Sequence, residues 1–84
     1  MKTIEWTTRA FRQLRKIRDP HIQVTIYDAV DTLRSWPDCR NVKKLENRSE
    51  YRLRIGRWRV LFVVRKTLEI ITINEVKKRN EQTY

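Results

Sequence analysis

Polar and apolar residues alternate at the start of the chain, where Ile4 and Trp6 fall on one side. A period of two residues is typical of a β-strand, and it predicts one over residues 2–6. Thr7 and Thr8 follow directly, and a threonine hydroxyl can accept the free backbone N–H groups of a first helical turn. The sequence therefore predicts a strand that passes straight into a helix.

The next segment has helical spacing and predicts two helices. The first is an amphipathic helix over residues 8–18. Asp19 and Pro20 then mark a second helix start, because Asp is a good N-cap and Pro is tolerated in a first turn. An apolar stripe from Ile22 predicts that this helix ends near Arg34, and the tight connection predicts a helix hairpin. The apolar positions of the first helix are Ala10, Phe11, Leu14 and Ile17.

The second half of the chain has the composition of loops and strands. Ser35–Asn41 is predicted to be a loop because it contains Pro, Asp and Asn. Val42–Leu45 has strand character, but the polar residues after it favour a connection that runs to Glu50. From Tyr51 the period of two returns, and it predicts strands over residues 51–55, 58–64 and 68–76.

These elements predict an α+β fold of order β-α-α-β-β-β, in one domain that spans residues 1–84. We expect a mainly antiparallel, twisted sheet with the N-terminal helix hairpin packed on one face. A chain of 84 residues is one small domain. Hydrophobic residues make up 39%, and Gly and Pro together occupy only three positions, so the composition favours an ordered fold.

Cys39 is the one cysteine, which excludes an intramolecular disulfide and a cysteine-based zinc site. The single cysteine favours a reducing, cytoplasmic location, and the lack of a secretory leader and of a long apolar run favours a location away from membranes. His21 is the one histidine and has no recognisable motif around it. We therefore expect Cys39 to be an ordinary half-buried thiol rather than a nucleophile, and we expect no cofactor.

The charge of the chain is its strongest functional signal. Twenty Lys and Arg against ten Asp and Glu give a net charge of +10. This excess implies a polyanionic partner, either nucleic acid or an acidic protein. Charge alone does not choose between them.

The stretch YRLRIGRWRV, residues 51–60, concentrates this charge. If residues 56–57 form a two-residue turn with Gly at its first central position, Arg54 lies directly opposite Arg59. Opposed side chains share one face of an antiparallel pair, so Arg52 joins these two on an arginine face. The other face is then apolar and available to the helices, and it consists of Tyr51, Leu53, Ile55, Trp58, Val60 and Phe62.

Opposed like charges destabilise an antiparallel pair by about 0.2–1 kcal/mol, so folding gains nothing from placing Arg54 across from Arg59. A bound anion would reverse the sign of that contribution. The arginines then form a preformed phosphate site, in which each guanidinium can donate two hydrogen bonds at once. The alternative is that they face solvent for solubility and blunt a sheet edge.

The last residues add the cations Lys77, Lys78 and Arg79 and a terminal Tyr84. A basic tail is commonly a solubilising chain without fixed structure. A tyrosine beside arginines can instead stack on a base or take part in proton transfer.

The order of elements, with the motif Y-R-L-R-x-G-x-W-R-V-L-F and a final R-x-x-x-x-Y, resembles the RelE/ParE superfamily of bacterial toxins, and within it the RelE side. The resemblance covers essentially the whole chain, and the hairpin and the tail are its specific parts. RelE itself has lysines in place of Arg52 and Arg54, and one more residue between its last arginine and tyrosine. Carried over by position, the mRNA-cleaving site of RelE-type toxins falls on Arg52, Arg54, Arg59, Arg79 and Tyr84.

The resemblance implies a ribosome-dependent, metal-free endoribonuclease that inhibits translation. The ribose 2′-hydroxyl attacks the adjacent phosphate and expels the 5′-oxygen. Arg54 and Arg59 would stabilise the charge of the phosphorane, and Arg52 would position the phosphate or organise the 2′-hydroxyl. Arg79 would assist the leaving oxygen, and Tyr84 would transfer a proton or stack on a base. Arginine holds its proton too tightly to be a good general base, so the general acid and base remain open.

The resemblance also implies the partners. A cognate antitoxin protein would lie on the exposed sheet or displace the C-terminal element, with acidic groups against the arginines. Operator DNA would be reached only through the antitoxin complex. ParE-type members share the fold and act on DNA gyrase, which leaves gyrase inhibition as the alternative, with a noncatalytic nucleic-acid-binding module as a third. The expected contacts to messenger and ribosomal RNA are Arg9, Arg12, Arg15, Lys16, Arg18, Lys43, Lys44, Arg57, Lys77 and Lys78.

Overall fold

The computed structural model describes residues 1–79 and has the predicted α+β architecture. Five strands form one sheet in the order β1-β5-β4-β3-β2. β1 pairs with β5 in parallel, and the other neighbours are antiparallel. The elements are β1 (Thr3–Trp6), α1 (Thr8–Arg15), α2 (Pro20–Asp31), a 3₁₀ turn (Thr32–Ser35), β2 (Val42–Lys44), β3 (Tyr51–Ile55), β4 (Trp58–Arg65) and β5 (Ile70–Lys78).

Both helices begin at the caps that the sequence predicts. The Thr7 hydroxyl accepts a hydrogen bond from the Ala10 backbone N–H at 3.1 Å. The Asp19 carboxylate accepts one from the His21 N–H at 2.9 Å, and Pro20 is the first helical residue. Each cap satisfies a backbone donor that the first turn leaves without a partner.

α1 ends at Arg15, three residues before the predicted boundary, and a side chain of α2 hydrogen-bonds to carbonyls at and just after this end. The Gln23 amide donates to the Arg15 carbonyl at 3.3 Å and to the Ile17 carbonyl at 2.5 Å. Ile17 lies beyond the helix, but its side chain is buried. The cap therefore fixes the turn of the helix hairpin as well as the end of α1.

The core lies between the helices and one face of the sheet. Trp36 contributes to it from the loop after the 3₁₀ turn, with its ring edge-on to Tyr51 at 4.8 Å and to Phe62 at 5.6 Å between centroids. Tyr51 and Phe62 are opposed across β3 and β4 and stack at 5.6 Å. Burial of a large apolar side chain contributes about 1.5–3 kcal/mol. The fully buried side chains with the largest volumes are Phe62, Ile26, Leu33, Ile71, Ile73, Val30 and Val60.

The prediction that Val42–Leu45 belongs to a connection was wrong, because Val42–Lys44 forms the edge strand β2. It pairs with β3, with Val42 opposite Leu53. The polar residues after it form a short hairpin loop, which the Leu45 N–H closes by donating to the Glu50 carbonyl at 3.1 Å. The half-buried Val42 packs against the core, and an edge strand tolerates the charged residues that follow it.

The last strand is shifted along the chain relative to its predicted span. A turn that includes Leu68 precedes it, and 63% of the Leu68 surface is exposed. β5 then continues to Lys78, where its last pair joins Lys78 to Trp58 of β4. No helix within residues 1–79 is long and apolar enough to cross a membrane.

Candidate functional site

The hairpin of β3 and β4 has the register that the sequence predicts. Arg54 lies opposite Arg59, and Ile55 lies opposite Trp58. Gly56 has a φ of 57°, as the first central position of a type II′ turn requires. The prediction that the arginines share the face opposite the helices is confirmed by this pairing.

A third cation extends the arginine pair into a row. Lys77 of β5 lies opposite Arg59 of β4, so Arg54, Arg59 and Lys77 follow one another across three neighbouring strands. Strands in a sheet are spaced about 4.8 Å apart, so the row spans roughly 10 Å. We call the sheet face that carries this row, opposite the helices, the open face. Its three side chains concentrate positive charge on a rigid support.

Arg52 occupies the next position of the open face, away from the turn. It lies opposite Leu61 of β4 on one side and Lys43 of β2 on the other. Its Nε is buried and has no hydrogen-bond partner within residues 1–79. A buried donor without a partner costs about 1–3 kcal/mol. Arg52 therefore has an unused donor beside the cation row.

Glu75 places a carboxylate on the same face, and the sequence reasoning did not single it out. A β-bulge shifts the pairing of β4 and β5 between Leu61 and Phe62, so that Glu75 lies opposite Leu61 while Ile73 lies opposite Phe62. Its Oε2 accepts a hydrogen bond from Arg9 Nη2 at 3.0 Å, and its Oε1 lies 3.9 Å from Lys77 Nζ. The side chain remains 21% exposed. An acid thus borders the cation row.

A second carboxylate, that of Glu50, lies at the far end of β3 from the hairpin turn. It accepts a hydrogen bond from the Asn74 amide at 3.2 Å and forms an ion pair with Arg48. Asn74 is the residue that the bulge leaves without a strand partner. Glu50 therefore holds the bulge in place from the other side of β4.

Of the two predicted catalytic residues of the tail, Arg79 and Tyr84, the structure describes only Arg79. The Arg79 backbone N–H donates to the Arg57 carbonyl at 2.6 Å, which places Arg79 beside the hairpin turn. Tyr84 lies outside the described residues. The open face and its neighbouring turn thus bring together Arg52, Arg54, Arg59 and the backbone of Arg79.

The cations predicted to contact RNA are divided between surfaces. Lys43 and Lys77 pair with Arg52 and Arg59 and belong to the open face. Lys44 and Lys78 pair instead with apolar-face residues, and Arg57 lies in the hairpin turn. Arg9 reaches Glu75 from α1. A separate exposed group on and just after α1 consists of Arg12, Arg15, Lys16 and Arg18.

An aromatic surface adjoins that group, and sequence reasoning placed part of it in the core. Phe11, predicted to belong to the buried stripe of α1, is 43% exposed, and Tyr27 of α2 is 50% exposed. Trp6 stacks on Tyr27 with centroids 6.0 Å apart, and the Arg15 guanidinium lies 5.9 Å from the centre of the Phe11 ring. Helical spacing cannot predict this exposure, because it carries no information on how much of α1 is covered by α2.

Cys39 is half-buried in the loop after the 3₁₀ turn, as expected. Burial raises the pKa of its thiol, and the nearby Asp38 carboxylate adds to the increase, while the Ser35 hydroxyl opposes it. A raised pKa reduces the thiolate fraction that a nucleophile needs. Residues 1–79 also contain no group of three or more His, Cys, Asp or Glu side chains that could hold a metal ion.

Comparisons with known proteins agree with this architecture. The family model described as the ParE toxin of the type II toxin–antitoxin system parDE matches residues 4–83. A chain of the toxin–antitoxin complex RelBE2 from Mycobacterium tuberculosis is 25% identical, with a TM-score of 0.77, and the match covers 93% of this chain and 98% of that one. No curated protein matches the chain.

Two further solved structures share the fold at lower sequence identity. The isolated RelE toxin of E. coli has a TM-score of 0.82 at 13% identity, and the match covers 99% of this chain and 89% of that one. The archaeal RelE–RelB complex from Pyrococcus horikoshii contains a chain with a TM-score of 0.80 at 23% identity, and the match covers 95% and 97% of the two chains. With the matched family model, these findings lead to one assignment: the chain belongs to the RelE/ParE superfamily of toxins from type II toxin–antitoxin systems.

Proposed function

We propose that this toxin is a ribosome-dependent endoribonuclease that cleaves messenger RNA and so inhibits translation. The observation that carries the proposal is the row of Arg54, Arg59 and Lys77 on the open face. Folding gains nothing from three directly opposed cations, since each such contact destabilises the sheet by up to about 1 kcal/mol. A row about 10 Å long suits the phosphates of a single RNA strand.

The reaction that suits this site is transesterification without a metal ion. The 2′-oxygen of a ribose attacks the adjacent phosphorus, and the bond from phosphorus to the 5′-oxygen breaks, which leaves a 2′,3′-cyclic phosphate. Arg54 and Arg59 would stabilise the added negative charge of the phosphorane. A well-placed donor in such a role contributes about 2.7–4 kcal/mol to the transition state. The guanidinium of Arg52, which lies next to the cation row, would hold a phosphate oxygen in place.

The tail completes the proposed site. The Arg79 backbone is fixed beside the hairpin turn, from which its side chain would assist the leaving 5′-oxygen. Tyr84 is proposed to transfer a proton or to stack on a base. Outside the site, the exposed cations Arg12, Arg15 and Arg18 would bind ribosomal RNA. The ribosome would then orient a messenger that this small protein cannot orient alone, and the action would take place in the cytoplasm.

A cognate antitoxin is the proposed protein partner. Solved relatives include complexes of a toxin with its antitoxin. We propose that an acidic segment of such a partner covers the open face and pairs with its arginines, which would block access of RNA. Operator DNA would be contacted only through that complex.

Inhibition of DNA gyrase is the second candidate function, and the description of the matched family model as a ParE toxin favours it. Two assays separate the candidates. Primer extension on messenger in purified translating ribosomes should show new 5′ ends when the toxin is added, while a gyrase supercoiling assay should be unaffected. Intact messenger at stoichiometric toxin, together with lost supercoiling, would reverse the assignment.

A further inference from the structure

The proposed reaction requires an acceptor for the proton of the 2′-hydroxyl. The arginines of the open face do not provide one, because a guanidinium stays protonated in proteins. A carboxylate is an effective general base when it lies within hydrogen-bond reach of the hydroxyl. The open face does carry a carboxylate, and its position depends on an irregularity of the sheet.

Glu75 reaches the open face because of the β-bulge. Strict alternation from Ile71 and Ile73 would place Glu75 among the buried apolar side chains. The bulge at Asn74 shifts the register by one residue, so that Val76 enters the core and Glu75 turns outward opposite Leu61. A bulge beside a functional site commonly redirects one side chain in this way.

The neighbours of Glu75 place it beside the proposed phosphate position. Arg59 is the diagonal neighbour of Glu75 on β4, since Arg59 pairs with Lys77 and Glu75 pairs with Leu61. Diagonal neighbours in a sheet lie about 7–8 Å apart, within reach of long side chains. Arg9 and Lys77 approach the carboxylate from two sides and restrict its orientation. A phosphate held by Arg59 would therefore bring its ribose close to Glu75.

The other carboxylates on or near this face are less well placed. Glu5 lies on β1, beyond β5, opposite Thr72. Glu50 lies just before β3, at the end of that strand away from the hairpin turn and from the cation row. Glu75 alone among these three is a diagonal neighbour of the cation row.

We propose that Glu75 is the general base of the RNA cleavage, an assignment that rests on the proposed function. Its carboxylate takes the proton of the 2′-hydroxyl as the 2′-oxygen forms its bond to phosphorus. The bond to the 5′-oxygen breaks with its electron pair, and that oxygen is protonated by a separate donor, either Tyr84 or water. Arg59 holds the phosphate beside Glu75 while the charge builds up.

The test is single-turnover cleavage of messenger in purified translating ribosomes at saturating toxin. Glu75→Gln should cleave at least about 100-fold more slowly, as expected for loss of a general base, with ribosome affinity and melting temperature close to wild type. Asp31→Asn is the control, because Asp31 is also an ion-paired carboxylate but lies at the end of α2, away from the open face, and it should cleave at the wild-type rate. Glu75→Asp, which keeps a carboxylate, should be faster than Glu75→Gln.

A messenger with sulfur at the 5′-bridging position distinguishes the base from the acid. Sulfur leaves without a proton donor, so the defect of Glu75→Gln should persist on this substrate. Recovery to the wild-type rate would overturn the assignment and make Glu75 the acid. Normal cleavage by Glu75→Gln would also overturn it while leaving the proposed function intact. No cleavage by the wild-type toxin would contradict both.

Discussion

Arg54 and Arg59 lie directly opposite each other on the face of the hairpin that no helix of the described chain covers. Their repulsion is a cost of the fold, and the stacked pair of Tyr51 and Phe62 on the other face helps to maintain the register despite it. The apolar face thus fixes the geometry that the charged face uses. Stability and function should respond differently to changes on the two faces.

Removing one member of the opposed pair should leave the fold intact. Arg54→Ala and Arg59→Ala should each change the free energy of unfolding by less than about 0.5 kcal/mol, or raise it slightly, because a like-charge contact is lost. Urea unfolding of both single variants and the double variant measures the coupling, which should be repulsive and weaken with added salt. An attractive coupling would show that the two arginines support the fold together.

The hairpin turn should depend on its glycine through the backbone alone. Gly56 has a φ of 57°, and an added Cβ would meet no atom within 4 Å. Gly56→Ala should therefore destabilise the protein by about 1–2 kcal/mol, the cost of a left-handed conformation for a residue with a Cβ. Gly56→Asn should cost less, since Asn tolerates this conformation better. Equal unfolding midpoints for wild type and Gly56→Ala in urea would contradict this account of the turn.

Cys39 should react slowly in the folded protein. Because burial raises its pKa, alkylation by iodoacetamide near pH 8 should be slower than in urea-unfolded protein. The raised pKa also has a stability consequence. The protonated thiol contributes stability that is fully present below the ordinary pKa of a thiol and is lost as the pH rises through the higher pKa of the folded protein. Cys39→Ser should therefore lose less stability at alkaline pH than the wild type. The same pH dependence of the free energy of unfolding in both proteins would contradict a raised pKa of the thiol.

The exposed cations of α1 should affect ribosome binding rather than the chemical step. Arg12→Ala should weaken binding to ribosomes. The slope of the logarithm of the affinity against the logarithm of the salt concentration should fall in magnitude by about one. At saturating toxin the cleavage rate should be close to that of wild type. A lower rate at saturation, with unchanged affinity, would place Arg12 in the chemistry instead.

Short-range sequence patterns predict most of the fold and the arginines of the proposed site, but not its carboxylate. Caps at Thr7 and Asp19, the turn at Gly56 and the alternation in β3 and β4 follow from short-range chemistry, so the arginine face could be predicted. Glu75 could not, because its outward position depends on a bulge at Asn74 that interrupts the alternation. The edge strand β2 was missed for a related reason, since its pairing with β3 is a tertiary contact.

The phosphate site is tested by comparing Arg59→Ala with wild-type toxin by primer extension on messenger in purified translating ribosomes, alongside thermal unfolding of both proteins. If the arginines hold a phosphate, cleavage should fall by about 100-fold or more, equivalent to roughly 3 kcal/mol of transition-state stabilisation. Unfolding should shift by no more than about 0.5 kcal/mol. Normal cleavage by Arg59→Ala, or loss of the folded state, would show that the arginines serve solubility or the fold and would contradict the phosphate site.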